Sequence, residues 1–486
     1  MPPRKAAKIM VAVNEGSTEP LYAQIYDQVK AAIVEGRLAA GERLPSIMSL
    51  SADLGVSHTT VEKSYLQLTV EGYVSNVPRS GYRVNELDTE FLQRVRESTE
   101  RGVREAAARR GRDTFLDEHE QAKDVRYDFS FANLQSGSFP LRAWRKVEGE
   151  LFYTGDDSGL TRYSYSRESN ALREELAAYL GKARGVRCLP EQVVLQAGTD
   201  CALNTLFALF DRERDSVGIE EPGYPTAREV ARRCGFQMAA IPTDLGAEAF
   251  LAGVEASSPH ILFATPSHQF PTGRILQLDS RTRLLKWAAE AGTYIIEDDS
   301  CNEFRYDVRP VPSLQSLDAG DRVIYLCNAS KVLAPGLRVA YLVLPPDLLE
   351  RYYDLFNNTP PTVPWTVEET LARFMAQGYW DQHVRRMANG NRKRHDELMR
   401  CLGSYLDDMI EVSGQNAGMH LFVTVRNGMT QEELLASARA EGAAVYGTKR
   451  FWFSKEPPEC NVLVGFSAIA LEDIEPGVAA LARAWA

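Results

Sequence analysis

Nowhere does this chain run for about 18 consecutive apolar residues, the length that would suggest a membrane-crossing helix. Its start, Met1 to Lys8, lacks the apolar segment of a secretory leader. Both absences point to the cytoplasm. Cysteine is sparse as well: seven residues are scattered from Cys188 to Cys460 without a Cys-x-x-Cys pair. That excludes a disulfide framework and gives no metal-ligand spacing, so no metal is expected. Positive charge is also in deficit, with a net charge of −11 that argues against polyanion binding by the whole surface. The deficit is uneven. Residues 1–85 carry nine Lys/Arg against eight Asp/Glu, which leaves −12 on residues 86–486. Such a split suits a nucleic-acid-reading end joined to an acidic body.

What is present is ordinary in amount: 486 residues, 44% hydrophobic and 25% charged, enough for more than one domain with a large core. The most informative stretch is Asn328 to Arg338. It places Ser330-Lys331 and Arg338 between two apolar runs of strand length, Val323 to Leu326 and Val339 to Leu344. A polar connection at a sheet end is where sites on α/β scaffolds are built. Lys331 alone would be read as a surface charge, so the case depends on its surroundings.

Residues 20–85 read as a separate domain behind a tail over 1–19. Leu21, Ile25, Val29 and Ile33 recur every four residues, the spacing of one helix face, and Gly36 stops the run. A second helix starts after Pro45 at Ser46, Gly55 supplies a tight turn, and Ser57 caps a third helix. That is a helix-turn-helix, whose second helix presents its N-terminal residues to the DNA major groove. Tyr73 to Val84 reads as two short strands around a Pro-Arg-Ser-Gly tip, a wing. Through Pro20-Leu21-Tyr22, Gly41-Glu42-Arg43-Leu44-Pro45-Ser46, Leu54-Gly55-Val56-Ser57 and Glu71-Gly72-Tyr73, the domain resembles the GntR family of winged-helix regulators. The resemblance implies double-stranded operator DNA as a partner. Family members usually carry arginine where Met48 and His58 stand, so the usual contact scheme is altered here. The candidate DNA contacts are Ser46, Ser57, His58, Thr59, Thr60 and Lys63 on the helices and Arg79 on the wing.

Residues 86–126 are dense in Arg and Glu with few apolar positions, the composition of a charged spacer. From about residue 190, strands alternate with helices, which predicts an α/β domain with a mainly parallel sheet over 127–486 and a small C-terminal α+β lobe. Four loops of that sheet carry polar residues that suit one cofactor. Gly198-Thr199-Asp200 opens a helix and forms an anion site. Asp298 ends a buried strand, where a carboxylate wants a cationic partner. Lys331 can form a Schiff base, and Arg338 can clamp a phosphate. Together they are the parts of a pyridoxal 5′-phosphate site.

Glu221-Pro222-Gly223-Tyr224-Pro225, Thr265 to Gly273, Glu297-Asp298-Asp299 with Glu303 to Tyr306, and Ser330-Lys331 with Pro335 to Arg338 resemble fold-type I aminotransferases. With the winged helix in front, the whole chain resembles the MocR-type regulators. The resemblance implies that Lys331 is the aldimine lysine, that Asp298 pairs with the ring nitrogen, and that Arg338, Ser330 and Thr199 hold the phosphate. Tyr224 would lie against the ring and Gln269 near its phenolic oxygen. Where the family has a tyrosine two residues after the aspartate, this chain has Ser300, too short for the same contact; cofactor binding with an altered spectrum is expected. Lys449 or Arg450 is the candidate for an effector carboxylate. No catalytic residue is assigned, because the expected activity is regulation: an amine or amino-acid effector displaces Lys331, and DNA binding responds. The alternative is an active aminotransferase with an accessory domain. The resemblance further implies a head-to-tail homodimer.

Overall fold

The computed structural model describes residues 11–88 apart from 15 and 18, 125–306 apart from 154–156 and 163–169, and 311–486. The chain forms two compact units, Met1–Asp117 and Glu118–Ala486. The division falls inside the expected spacer, 86–126, most of which lies outside the described residues.

In the first unit, α1 (Leu21–Val34), α2 (Ile47–Leu54) and α3 (His58–Val70) enclose a core that includes Ile25, Val29, Ile33, Val61, Tyr65 and Leu68. Local chemistry sets the breaks. Ser46 Oγ accepts from Ser49 N at 3.1 Å and Ser57 Oγ from Thr60 N at 3.2 Å, satisfying amides at the helix starts that have no intrahelical partner. Gly55 ends α2 in the left-handed region at φ 69°, which glycine adopts without steric cost. Strands β1 (Val74–Val77) and β2 (Gly81–Val84) pair antiparallel as the wing, and Arg79 at its tip also has positive φ. Part of the stretch read as a tail is docked. Asn14 N donates to Gln24 Oε1 at 2.8 Å and Ala12 N to Gln28 Oε1 at 3.0 Å, tying residues 11–14 to α1.

The second unit begins with β3 (Tyr127–Asp128). It is built on a seven-stranded sheet of β4 (Val193–Gln196), β5 (Ser216–Glu221), β6 (Gln237–Pro242), β7 (Ile261–Ala264), β8 (Tyr294–Asp298), β9 (Val323–Asn328) and β10 (Ala340–Val343). Their order is β4-β10-β9-β8-β7-β5-β6. Neighbours from β9 to β6 are parallel, and β10 runs against both β9 and β4. Strands β7 and β8 are buried along their whole length, as expected for a sheet covered on both faces. The edge strand β6 was not foreseen. Only Ile241 of its six residues is fully buried, so it has neither the continuous apolar run nor the strict alternation that marks a strand in sequence.

A smaller antiparallel sheet of β11 (Ile410–Ser413), β12 (His420–Val425), β15 (Asn461–Gly465) and β14 (Tyr446–Gly447) forms the C-terminal lobe. Strand β3 pairs in parallel with β13 (Ala443–Ala444), and beyond it the Ala132 carbonyl lies 3.1 Å from Lys331 Nζ. Among the described residues no helix is long and apolar enough to cross a membrane.

The topology gathers the site. Gly198 follows β4, Tyr224 follows β5, Asp298 ends β8 and Lys331 follows β9, all at carboxyl ends of strands that point the same way. Arg338 precedes the reversed strand β10, so it meets the same edge. Open α/β sheets bind ligands outside this edge.

Candidate functional site

A cavity of about 360 Å³ opens at that edge, and Thr199, Tyr224, Ser330, Lys331 and Arg338 line it. Lys331 Nζ donates to the Ala132 carbonyl at 3.1 Å. Burial pushes its pKa below the ordinary lysine value, against the opposing pull of Cys301 and Asp298. A depressed pKa makes the neutral, nucleophilic amine more available near neutral pH. Asp298 is 8% exposed. Burial raises its pKa, and two hydrogen bonds from Ser300 oppose the rise, from the amide at 3.0 Å and the hydroxyl at 2.6 Å, both to Oδ1.

The anion cradle depends on one glycine. Gly198 precedes the helix Thr199–Phe207 at φ 87°, and a Cβ there would run into the Arg338 guanidinium. Only glycine lets Arg338 lie across the helix start, where free amides and the helix dipole already favour negative charge. Arg338 itself has φ 54°, a left-handed conformation uncommon for a side-chain-bearing residue, and one that clusters at ligand-holding sites. These groups fit a phosphate monoester, and Lys331 and Asp298 fit an aromatic aldehyde with a basic ring nitrogen.

One member of the site was missed in the sequence. Asn328 Nδ2 donates to Ser300 Oγ at 2.8 Å and to Thr199 Oγ1 at 3.2 Å, while its Oδ1 accepts from Ser330 N at 3.0 Å. The chain Thr199, Asn328, Ser300, Asp298 therefore links the anion cradle to the buried carboxylate. Ser300, too short to reach across the cavity, is turned back onto Asp298 instead. The signal for Asn328 was its place as a polar strand end three residues before Lys331.

Behind this row lies a buried ion pair, also unread in the sequence. Arg184 donates to both oxygens of Asp299, Nε at 2.6 Å and Nη2 at 3.1 Å, and Tyr325 Oη adds a third bond at 2.8 Å. Burial pulls the guanidinium down, but Asp299 outweighs it and holds Arg184 charged. The pair fixes the backbone beside Asp298.

Other expected residues stand apart. Gln269 is buried with its amide spent on loop closure: Nε2 donates to the Pro222 carbonyl at 2.8 Å, and Oε1 accepts from Thr272 Oγ1 at 2.6 Å. It borders a separate cavity with Glu220 and Phe250, not the one around Lys331. Tyr224 does line the main cavity, packed on Phe263 with ring planes 21° apart. Lys449 is engaged with Glu432 at 2.9 Å and Glu459 at 3.6 Å. Arg450 sits over the Phe451 ring at 5.4 Å, and its charge reaches Tyr224.

In the first unit, Ser46, Ser57, His58 and Thr59 are exposed at the starts of α2 and α3, and Arg79 is exposed on the wing. Thr60 is half-buried and bonds Ser57 Oγ through its hydroxyl at 2.7 Å. Lys63 Nζ lies 3.9 Å from the centre of the Tyr22 ring, a cation–π contact.

Comparison with known proteins follows the same division. Residues 21–84 match the bacterial regulatory proteins of the gntR family, and residues 130–459 match aminotransferase class I and II. The uncharacterised HTH-type transcriptional regulator YdeL of Bacillus subtilis (strain 168) is 35% identical over 467 residues, 96% of this chain and 97% of that one. The probable rhizopine catabolism regulatory protein MocR of Rhizobium meliloti is 30% identical over 477 residues, 98% of this chain and 96% of its own. Among solved structures, a kynurenine aminotransferase of Pyrococcus horikoshii superposes with a TM-score of 0.69 over 78% of this chain and 95% of its own at 23% identity, a likeness of fold.

Proposed function

The chain belongs to the MocR-type transcription regulators of the GntR family, in which a winged helix precedes an aminotransferase-class body, and on that premise we propose that it senses an amine through pyridoxal 5′-phosphate held at Lys331. The observation that carries this reading is one cavity edge that brings together a half-buried lysine of depressed pKa, a buried carboxylate and a glycine-dependent anion cradle. Thr199, Ser330 and Arg338 would hold the phosphate, Asp298 would meet the ring nitrogen, and Tyr224 would lie beside the ring. Bound there, the cofactor supplies an aldehyde carbon that exchanges one amine for another reversibly. Lys331 is the resident amine. An effector amine would compete with Lys331 for that carbon, and Lys331 Nζ lies 3.1 Å from the Ala132 carbonyl that would receive it. Coupling to DNA requires only that the effector favour one conformation of the protein over another.

The effector is an amine or amino acid, and Arg450, beside the Phe451 ring, is the cation proposed for its carboxylate. The protein acts as a homodimer, which accords with the large apolar side chains left exposed on the body helix Leu141–Tyr153, Phe152 at 52% and Tyr153 at 93%. A regulatory rather than enzymatic role fits Ser300, which gives up contact across the cavity for a bond to Asp298.

The test is borohydride reduction of the protein incubated with pyridoxal phosphate, followed by peptide mapping. The label is expected on Lys331, and an added amine is expected to lower it. Labelling spread over surface lysines, unaffected by amines, would refute the proposal. An aminotransferase reading shares the depressed lysine and is separated by assay: it requires sustained amino transfer to a keto acid.

A further inference from the structure

The reading end of the winged-helix unit has an uncommon set of side chains. Between Ser46 and Lys63 the chain has no arginine. Arginine or lysine on the O6 and N7 of guanine is the commonest base-specific contact in the major groove. Here the one cation of α3, Lys63, has its ammonium 3.9 Å from the centre of the Tyr22 ring, on its own domain. Glu62 beside it is exposed and negative, an acceptor that offers nothing to the acceptor edge of guanine.

What the first turn of α3 does expose is His58 and Thr59. The Thr59 hydroxyl is bonded back to Ser57 Oγ at 2.9 Å, within the same cap that holds Thr60 Oγ1 at 2.7 Å. With its oxygen engaged in the cap, Thr59 has its methyl left to meet a groove. On the first turn of α2, Met48 is 69% exposed, an unbranched apolar side chain able to adapt to a flat surface. Thymine is the one base that presents a methyl in the major groove, and threonine methyls and other apolar groups are its ordinary partners.

From these placements we infer that this protein reads its operator chiefly through thymine methyl groups, with Thr59 as the specificity-determining residue and Met48 as a second apolar contact. The inference rests on the DNA-binding function and adds the chemistry of the bases recognised. Phosphate contacts from the start of α3 and from Arg79 position the helix without selecting sequence.

The experiment uses the full-length protein and a duplex that it selects from a randomised library. The selected site is resynthesised with deoxyuridine in place of thymidine, one position at a time. Burying one methyl is worth about a fourfold change in affinity. A loss of about that size is expected at one or two positions in each half-site. Thr59→Ser keeps the hydroxyl that bonds the Ser57 cap and removes the methyl; it is expected to abolish the penalty at one position while binding the uracil duplex as the wild type does. Met48→Ala is expected to do so at another. Uracil that is neutral everywhere, or a penalty that survives both variants, would overturn the inference and leave DNA binding intact. So would a site governed by guanines that tolerate no 7-deaza replacement. Failure to enrich any sequence would overturn the DNA-binding function itself, and the inference with it.

Discussion

The winged-helix unit and the aminotransferase-like body place their functional residues in opposite ways. In the first, every candidate but the wing arginine stands between Ser46 and Lys63, and the hydrogen bonds that orient Ser57, Thr59 and Thr60 span two or three residues, with only Lys63 among them resting on a distant ring, Tyr22. In the second, one cavity draws on Ala132, Thr199, Tyr224, Lys331 and Arg338, held by contacts that cross more than a hundred residues, such as Asn328 to Thr199 and Lys331 to Ala132. A site built from local caps is fixed by local chemistry. A site built at a sheet edge is fixed by buried polar groups elsewhere in the core, and a change far from the cavity reaches it.

The largest test of that contrast is the buried ion pair. Arg184→Ala leaves Asp299 without its cation in the core, and breaking such a pair costs roughly 3–5 kcal/mol. Chemical unfolding with hydrogen exchange is expected to show that loss in the body, with protection over residues 20–85 unchanged. A loss spread equally over both units would contradict the division.

Next is the buried carboxyl of Glu220, pushed up to about 7 by burial, with Thr265 and Gln269 partly offsetting it through hydrogen bonds. Its folded pKa lies above the unfolded value, so the folded state binds the extra proton between about 4.5 and 7. The stability this group contributes is complete below the lower value and declines as pH rises through the upper one. Glu220→Gln is expected to remove a pH-dependent term of roughly 3 kcal/mol from the body, seen as a flatter stability curve across that range. A curve of unchanged slope would mean that Glu220 is charged throughout.

How much of this was legible in the sequence follows the same line. The caps at Ser46 and Ser57, the turn at Gly55 and the wing could be read because each depends on residues a few positions apart. Lys331, Asp298, Gly198 and Arg338 could be placed at one sheet edge because strand periodicity and the resemblance agreed. Gln269 could not be placed. Its amide is spent on Pro222, 47 residues away, a partner that no spacing reveals. Asn328 and Arg184 were missed for a like reason, since their partners are set by strand order. The strand Gln237–Pro242 was missed because it, unlike the other edge strand Val193–Gln196, buries too little to leave a pattern.

Smaller effects sharpen the comparison. Ser57→Ala removes the cap of α3 and is expected to cost about 1 kcal/mol in the winged unit alone, measurable by exchange of its amides. Ser300→Ala is expected to change global stability least, yet to weaken pyridoxal phosphate retention several-fold on dialysis by taking two-step support away from Asp298; Ser300→Thr is expected to preserve it. Equal retention in both variants would show that the string from Thr199 to Asp298 does not support the cofactor.

The central claim is that Lys331 is an amine trap wired to DNA binding. It is tested most directly by fluorescence anisotropy of the selected duplex with the full-length, cofactor-incubated protein, wild type and Lys331→Ala, across a series of amines. Both proteins are expected to bind the duplex without amine, and one or more amines are expected to shift the affinity of the wild type alone. An identical amine response in the lysine variant would contradict the account, as would steady amino transfer by a wild type that binds no duplex specifically.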